Sequence, residues 1–443
     1  MVTLSARRGA FALLICVSIA TATGAWAQVA PSPKTGALIT AAQGNPQFQS
    51  TAAYIGALCP NLTPGTDLRL RCAGALNAST DAPPLATIAL GSITPEELLS
   101  QSGAVDGAIA PATNAVAGRL SALGRVGFRG GVAALYRPVA LASNGDTAGV
   151  GGFSPSRLQG FFNVSGGSGN RDHDTYEAGY DFDQGSITGG GDYRFSDAFT
   201  AGVSLSYGKT DVNFDASGGK MHVKTTAGAA YGLWSVSDRL QISGLISYGH
   251  VRYSSYRNIS YVESATSVIN RVAYSKARGH QWEGTVTATY ALPASDGWSF
   301  GPSLALSAAT LHLKAFDETG AGGLDLSFPT QTTKSLQVIL GFDASKAISA
   351  PWGVVTPYGR AQAIYETKDD RRTVAVRYTA DTTGFFPGIR LNTSAPDRTR
   401  FLLGGGLAGQ FASGWSAFAD VETVVGLRYV SGYDVTIGGR KEF

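Results

Sequence analysis

From Arg157 onward the chain alternates with a period of two residues, in one strand-length run after another. FTAGVSLSYG places Phe199, Ala201, Val203, Leu205 and Tyr207 on one face, and only Thr200, Gly202, Ser204, Ser206 and Gly208 on the other. HQWEGTVTATYAL sets Trp282, Gly284, Val286, Ala288, Tyr290 and Leu292 against Gln281, Glu283, Thr285, Thr287, Thr289 and Ala291. GSITGGGDYRF and RFLLGGGLAGQF behave in the same way. This is the signature of β-strands with two unlike faces. In a soluble sandwich the apolar faces would meet in one core and the polar faces would look outward. Here the polar faces are small and rich in Gly and Ser, and aromatic residues gather near the strand ends. That pattern predicts an apolar band turned toward lipid, rimmed by aromatic girdles, around a wet lumen.

The connections give an independent test. About twelve strands fit between Arg157 and Phe443, roughly 24 residues for each strand with its connection, and a tilted strand needs about 9–11 residues to cross a bilayer. FSDAF, VSDRL, ASDGW, SAPWG and ASGW read as tight turns after strands two, four, six, eight and ten. Long connections, about 255–276, 316–330 and 366–397, follow strands five, seven and nine. Short turns on one side and long loops on the other are how outer-membrane barrels are built, and an even strand number returns the last strand to the short-turn side. YDVTIGGRKEF, with Tyr433, Val435, Ile437 and Phe443 on its apolar face, is then the closing strand, pairing with strand one so that no edge remains.

Composition agrees. Charged residues make up 15% of the chain and Gly contributes 57 of 443 residues, a low-charge, Gly-rich balance that ordinary soluble domains lack. No segment after the leader offers 18 consecutive apolar residues, so no membrane helix is expected. The formal charge is +3. Removing Arg7 and Arg8, in a segment without acids, leaves +1, so no nucleic-acid partner is implied.

The front of the chain reads differently. Residues 1–27 carry Arg7 and Arg8, the apolar stretch GAFALLICVSIA and then Ala25-Trp26-Ala27, the pattern of a secretory signal peptide. Cleavage would leave Cys59 and Cys72 in an oxidising compartment, where they are expected to pair. Residues 28–125 are Ala-rich and read as a short helical region. QFQSTAAYIGALC and TDLRLRCAGALNA form two helices joined by the breakers PNLTPG and stapled by the cysteines. SITPEELLSQ offers Thr94 as N-cap, Pro95 at the first helical position and Glu97 three residues after the cap. A further helix is expected from about 112 to 125. Residues 126–156, rich in Gly and Ala, read as a linker that could reach on the order of 100 Å when extended.

With these pieces in order, residues 157–443 resemble the autotransporter β-domain, a twelve-stranded translocator. The resemblance is carried by GYDFDQGSITGGGDYRFSDAFTAGVSLSYG, WSFGPSLALSAATLHLKAFDETGAGG, SAPWGVVTPYGRAQAIYE and the terminal GGRKEF. AVAGRLSALG is similar to the family's pore helix, which implies that the chain's own N-terminal segment occupies the lumen. Tyr433, Val435, Ile437 and Phe443 would form the signal that the barrel-assembly machinery reads, and Glu318 of FDETG is similar to a family motif glutamate with a place in the outer loop or upper wall. Two departures stand out. Lys441 replaces the apolar residue usual two before the terminal Phe, and only about 100 residues precede the helix, with no β-repeat.

Little chemistry is legible. Asp420 and Glu422 stand two apart on one strand and face the lumen, where Arg428 and Arg440 would balance them. Asp172, His173 and Asp174 fall in the first outer loop, but polar loop residues are more often solvated than catalytic. GDTA at Gly145 is not an esterase nucleophile block. No metal or cofactor spacing appears, and the GGG runs at 189–191 and 404–406 lie inside strands, where they would let aromatic side chains pack flat.

The fold expected is mainly β: a twelve-stranded antiparallel transmembrane barrel preceded by a small disulfide-stapled α-helical region. The function expected is a non-enzymatic outer-membrane translocator in a Gram-negative bacterium that exports or displays its own short N-terminal region, which could meet a cell-surface ligand. The alternative is a standing channel or envelope anchor whose helical region stays periplasmic.

Overall fold

The computed structural model describes residues 32–100 and 157–443, except 82, 216, 265, 369–370, 385–386 and 412–413. The leader expected at 1–27, the helix at 112–125 and the linker at 126–156 lie outside the described residues. The strands are β1 (Leu158–Arg171), β2 (Tyr180–Arg194), β3 (Phe199–Phe214), β4 (Lys220–Ser235), β5 (Leu240–Ser264) and β6 (Ser267–Tyr290). Next come β7 (Trp298–Leu313), β8 (Phe316–Thr319), β9 (Leu326–Phe328), β10 (Gln331–Lys346), β11 (Ile348–Ala350) and β12 (Gly353–Glu366). The last are β13 (Thr373–Tyr378), β14 (Ile389–Asn392), β15 (Thr399–Phe411), β16 (Trp415–Val425) and β17 (Val430–Glu442).

Twelve of these form the wall, each antiparallel to its neighbours, and β17 pairs with β1 to close it. Asn163 on β1 lies opposite Thr188 on β2 and Gly438 on β17. Closure leaves the wall without an edge. The alternation expected from sequence is present: Val203 is 64%, Leu205 65% and Ile437 61% exposed on the outside, while Ser204, Ser206 and Thr188 are buried inside. So much apolar side chain facing outward belongs in lipid. Aromatic residues mark two levels on that face. Tyr193, Phe199, Trp234, Trp298 and Trp415 rim the short-turn end, and Tyr207, Trp282, Phe401 and Tyr433 stand further up.

The tight turns are set by their residues. In FSDAF the Ser196 hydroxyl accepts from the Phe199 amide at 3.1 Å, and in VSDRL Ser237 accepts from the Leu240 amide at 3.1 Å. In ASDGW, Asp296 and Gly297 both take positive φ (56° and 78°), the backbone that reverses a twisted ribbon in two residues. The long connections differ from the expectation of loops. Residues 255–276 are mostly strand: β5 and β6 continue their ladder to Ser264 opposite Ser267, a hairpin rising far above the girdle. Its alternation had been hidden by Tyr, Arg and Ser, whose polarity resembles a loop. The other two connections carry β8 with β9, and β13 with β14, which lean together through Tyr378 opposite Leu326.

The glycine runs let large side chains cross the interior. A Cβ at Gly190 would meet the Phe161 ring at 2.5 Å and the Val203 carbonyl at 2.6 Å. Phe161 therefore lies across Gly190, with Tyr231 edge-on to it at 6.3 Å.

Among the described residues the helical region holds four α-helices, α1 (Pro33–Ala41), α2 (Pro46–Leu58), α3 (Asp67–Asp81) and α4 (Pro83–Ile93). α2 and α3 match the expected pair, and Cys59 and Cys72 form the disulfide with Cα atoms 5.8 Å apart. α1 and α4 escaped the sequence reading because their starts are crowded with prolines. For α1 proline is the start signal: Ser32 caps through its side chain and Pro33 follows. SITPEELLSQ gives only a 3-10 turn at Glu96–Ser100, because Thr94 turns its hydroxyl to Thr51 (2.9 Å).

Candidate functional site

The lumen is lined by small polar side chains, among them Gln241, Gln281, Thr285 and Ser303, and contains a cavity of about 960 Å³. Glu422 lines it, with Asp420 beside it on β16, both buried. The partner of this acidic pair is Arg360 on β12, not Arg428 or Arg440. Arg360 donates to Asp420 at 2.6 Å and also to Glu422. It reaches β16 across β15, where Gly404 leaves the space: a Cβ there would sit 2.9 Å from Arg360 Nε. Gly406 does the same beneath Tyr358. One of the two glycine crossings in this run thus serves an arginine. Arg428 sits exposed in the β16–β17 turn, its amide donating to Asp397, while Arg440 pairs with Glu442 at 3.0 Å. Sequence alone could not find Arg360, since its partners lie two strands away.

The long-loop end of the barrel is covered by the four helices. One hydrophobic core joins Ile55, Leu58, Leu68 and Leu90 with Ile259, Leu326, Ile389 and Leu391. Polar contacts fix the docking. The Gln47 amide acts as a strand partner, donating to the Asn392 carbonyl at 2.6 Å and accepting from the Asn392 amide at 3.0 Å. Tyr54 donates to Asp381 at 2.6 Å and stacks on Tyr378. Asp67 binds the Arg271 guanidinium and accepts from the Gly323 amide at 2.8 Å. Arg71 meets Glu263 at 2.7 Å, and Ser92 donates to the Ser260 carbonyl at 2.7 Å. The protruding hairpin is thus a shelf for α3 and α4. None of these residues stood out in the sequence; the one signal available was Glu263 in a run of Tyr and Ser.

Glu318 ties this mouth together. It binds Arg257 at 2.8 Å and accepts from the Leu326 amide at 3.1 Å. The hydrogen-bonded guanidinium of Arg271 holds the Asp67 carboxyl down to about 2, whereas burial pushes Glu96 up to about 7 and also raises Glu97. In the first loop Asp174 accepts from the amides of Tyr176 (2.7 Å) and Glu177 (2.9 Å) and pairs with Arg171 at 2.7 Å. It is spent on holding the turn, and no cluster of three metal-ligating side chains occurs among the described residues.

Most of the chain that builds this wall also matches known proteins. The family model described as Autotransporter beta-domain matches residues 160–422. The chain is 23% identical over 266 residues to outer membrane protein A of Rickettsia conorii, covering 59% of this chain and 12% of that protein. It is 26% identical over 236 residues to lipase 1 of Photorhabdus luminescens, covering 51% of this chain and 32% of that one. The chain therefore spans a third or less of the length of these curated relatives. Among solved structures, the translocator domain of the autotransporter NalP from Neisseria meningitidis matches with a TM-score of 0.52 at 17% identity, covering 74% of this chain and 98% of that one, a likeness of fold. A closed twelve-stranded wall, greasy outside and polar within, together with a family match over more than half the sequence, makes this chain a member of the autotransporter β-domain family, a translocator barrel of the bacterial outer membrane.

Proposed function

We propose that the barrel exports its own N-terminal helical domain and keeps it on the cell surface, seated over the outer mouth. The observation that carries this reading is the position of the two chain ends around residues 101–156. Ser92 packs against Ser260 on the hairpin at the long-loop end, whereas Leu158 starts β1 at the short-turn end beside Phe443. The intervening segment has to pass from one end to the other. A path outside the wall would leave backbone groups unsatisfied in lipid, so the lumen is the physical route. Energy for passage would come from barrel assembly and from burying the helices against β9, β13 and β14 once outside. The periplasmic-anchor alternative has no such support, since the surface that Gln47, Tyr54 and Asp67 recognise belongs to the long loops.

In the same reading Tyr433, Val435, Ile437 and Phe443 present the apolar stripe that the barrel-assembly machinery engages, with Lys441 lying over the Trp415 ring at 5.1 Å rather than in lipid. No catalytic step is assigned to the barrel. Protease treatment of intact cells tests the proposal: residues 32–100 should be clipped while the wall survives. Protection of those residues until the outer membrane is opened would overturn it. Conductance of the purified barrel should rise when residues 28–156 are deleted, and an unchanged value would remove the lumen path.

A further inference from the structure

A row of cations crosses five neighbouring strands on the outside of the wall. The register sets Lys209 opposite Lys224, Lys224 opposite Arg252 and Arg252 opposite Arg278. Lys314, whose amide donates to the Arg278 carbonyl at 2.9 Å, extends the row past β7. All five side chains are exposed. They share the outward face with Leu205 and Trp282, so they look away from both lumen and helices. The next rung toward the hairpin tip adds His222 and Lys276, and the rung below aligns His250, His280 and His312. The acids on this surface are Asp211, already bound by Lys209 at 2.6 Å and by His222, and Asp317 on β8, exposed beside the Lys276 rung but in no ion pair with the row. Among the described residues no carboxylate forms an ion pair with Lys224, Arg252, Arg278 or Lys314.

Like charges set directly opposite on adjacent strands repel and weaken the sheet. A run of four without a carboxylate between them is stable where the counter-charge comes from elsewhere. Its height says from where. Tyr248 and Trp282, with rings 4.6 Å apart, belong to the upper aromatic girdle. Arg252 and Arg278 each lie four residues beyond these rings, roughly 13 Å along the strand and about 10 Å along the membrane normal once tilt is allowed for. That is the headgroup layer of the leaflet facing the long loops.

We propose that this row binds the phosphate groups of the anionic glycolipid in the outer leaflet. Arg252 and Arg278, adjacent and free of acids, would take one phosphate in paired charge-assisted hydrogen bonds, with Lys224 and Lys314 as flanking point charges. The apolar face below, with Leu205 and Trp282, meets the acyl chains of the same molecule. The contact would anchor the β3–β7 side of the barrel, from which the hairpin carrying the helical domain rises. It rests on the long-loop end facing outward, but not on where the helices are displayed.

The test uses the purified full-length chain in detergent, mixed with micelles containing diphosphorylated lipid A or the same lipid after phosphatase treatment. The wild-type chain should retain the phosphorylated lipid and not the treated one. R252Q/R278Q should weaken retention by about tenfold or more, and K346Q at the opposite rim should leave it unchanged. Millimolar inorganic phosphate should fail to displace the lipid. Equal retention of both lipids, equal retention by R252Q/R278Q, or displacement by free phosphate would overturn the assignment. Heat-modifiable migration on gels checks that each variant is a folded barrel, and K224Q/K314Q, expected to weaken retention in the same direction, serves if the arginine pair fails to fold. Because retention is read on purified protein, its failure is distinct from failure of surface display.

Discussion

The guanidinium of Arg257 on β5 meets the carboxylate of Glu318 on β8 at 2.8 Å, with the two side chains only 3% and 1% exposed. Arg257 also donates to the Ser92 carbonyl at 3.2 Å, so the pair ties the hairpin, the β8–β9 connection and α4 at one point. Removing one partner would strand a buried charge. Glu318→Ala should destabilise the docked outer cap by about 3–5 kcal/mol, whereas Arg257→Met with Glu318→Leu should recover most of it. Limited proteolysis at the hairpin and helices, with barrel heat-modifiability as a control, reads both.

Two glycines of one run predict opposite outcomes. A Cβ at Gly190 would collide with the Phe161 ring and a fixed carbonyl, while one at Gly189 has its nearest neighbour at 4.0 Å. Gly190→Ala should therefore lower barrel stability by about 1–3 kcal/mol in urea titrations and Gly189→Ala should be close to neutral. Equal effects would mean that Phe161 does not lie across β2.

Loss of the disulfide should loosen the helices and spare the wall. The Cys59–Cys72 bridge spans 13 positions, which corresponds to about 3 kcal/mol of loop-closure stabilisation. Cys59→Ser with Cys72→Ser should make residues 32–100 sensitive to protease at lower urea concentrations, with no change in the barrel's own transition.

The docked cap should weaken as pH rises toward neutrality. Glu96 titrates near 7 when folded, against 4.5 for an unperturbed Glu, because burial disfavours its charge. The folded state then holds more protons between those values, so its stability falls as pH rises through them, by on the order of 3 kcal/mol for this group. Asp67, held down to about 2 by Arg271, acts oppositely and loses its contribution below the ordinary Asp range. Hydrogen-exchange protection of α2 and α4, corrected for intrinsic rates, should be higher at pH 5 than at pH 7.5, and Glu96→Gln should flatten the difference.

These outcomes depend on features of unequal legibility. Residues such as Val203 against Ser204 announce the wall, because a two-faced strand in lipid leaves a period in the sequence itself. The disulfide followed from compartment and count. What the sequence withheld was register: Arg360 reaches Asp420 only because Gly404 lies between them, and the row from Lys209 to Lys314 exists only once five strands are aligned. Docking was hidden for another reason. Gln47 and Asp67 look like ordinary helix-surface residues until Asn392 and Arg271 are brought to them from more than 200 positions away.

On the proposed function, the helices sit on the outer end of an outer-membrane barrel whose tight turns face the periplasm. Labelling of intact cells with a membrane-impermeant maleimide reads this orientation, using Ile88→Cys on the exposed face of α4 and Asp238→Cys in the β4–β5 turn. Ile88→Cys should react on intact cells, and Asp238→Cys only after the outer membrane is permeabilised. Labelling at Asp238→Cys with Ile88→Cys protected would place the tight turns outside and the helices in the periplasm.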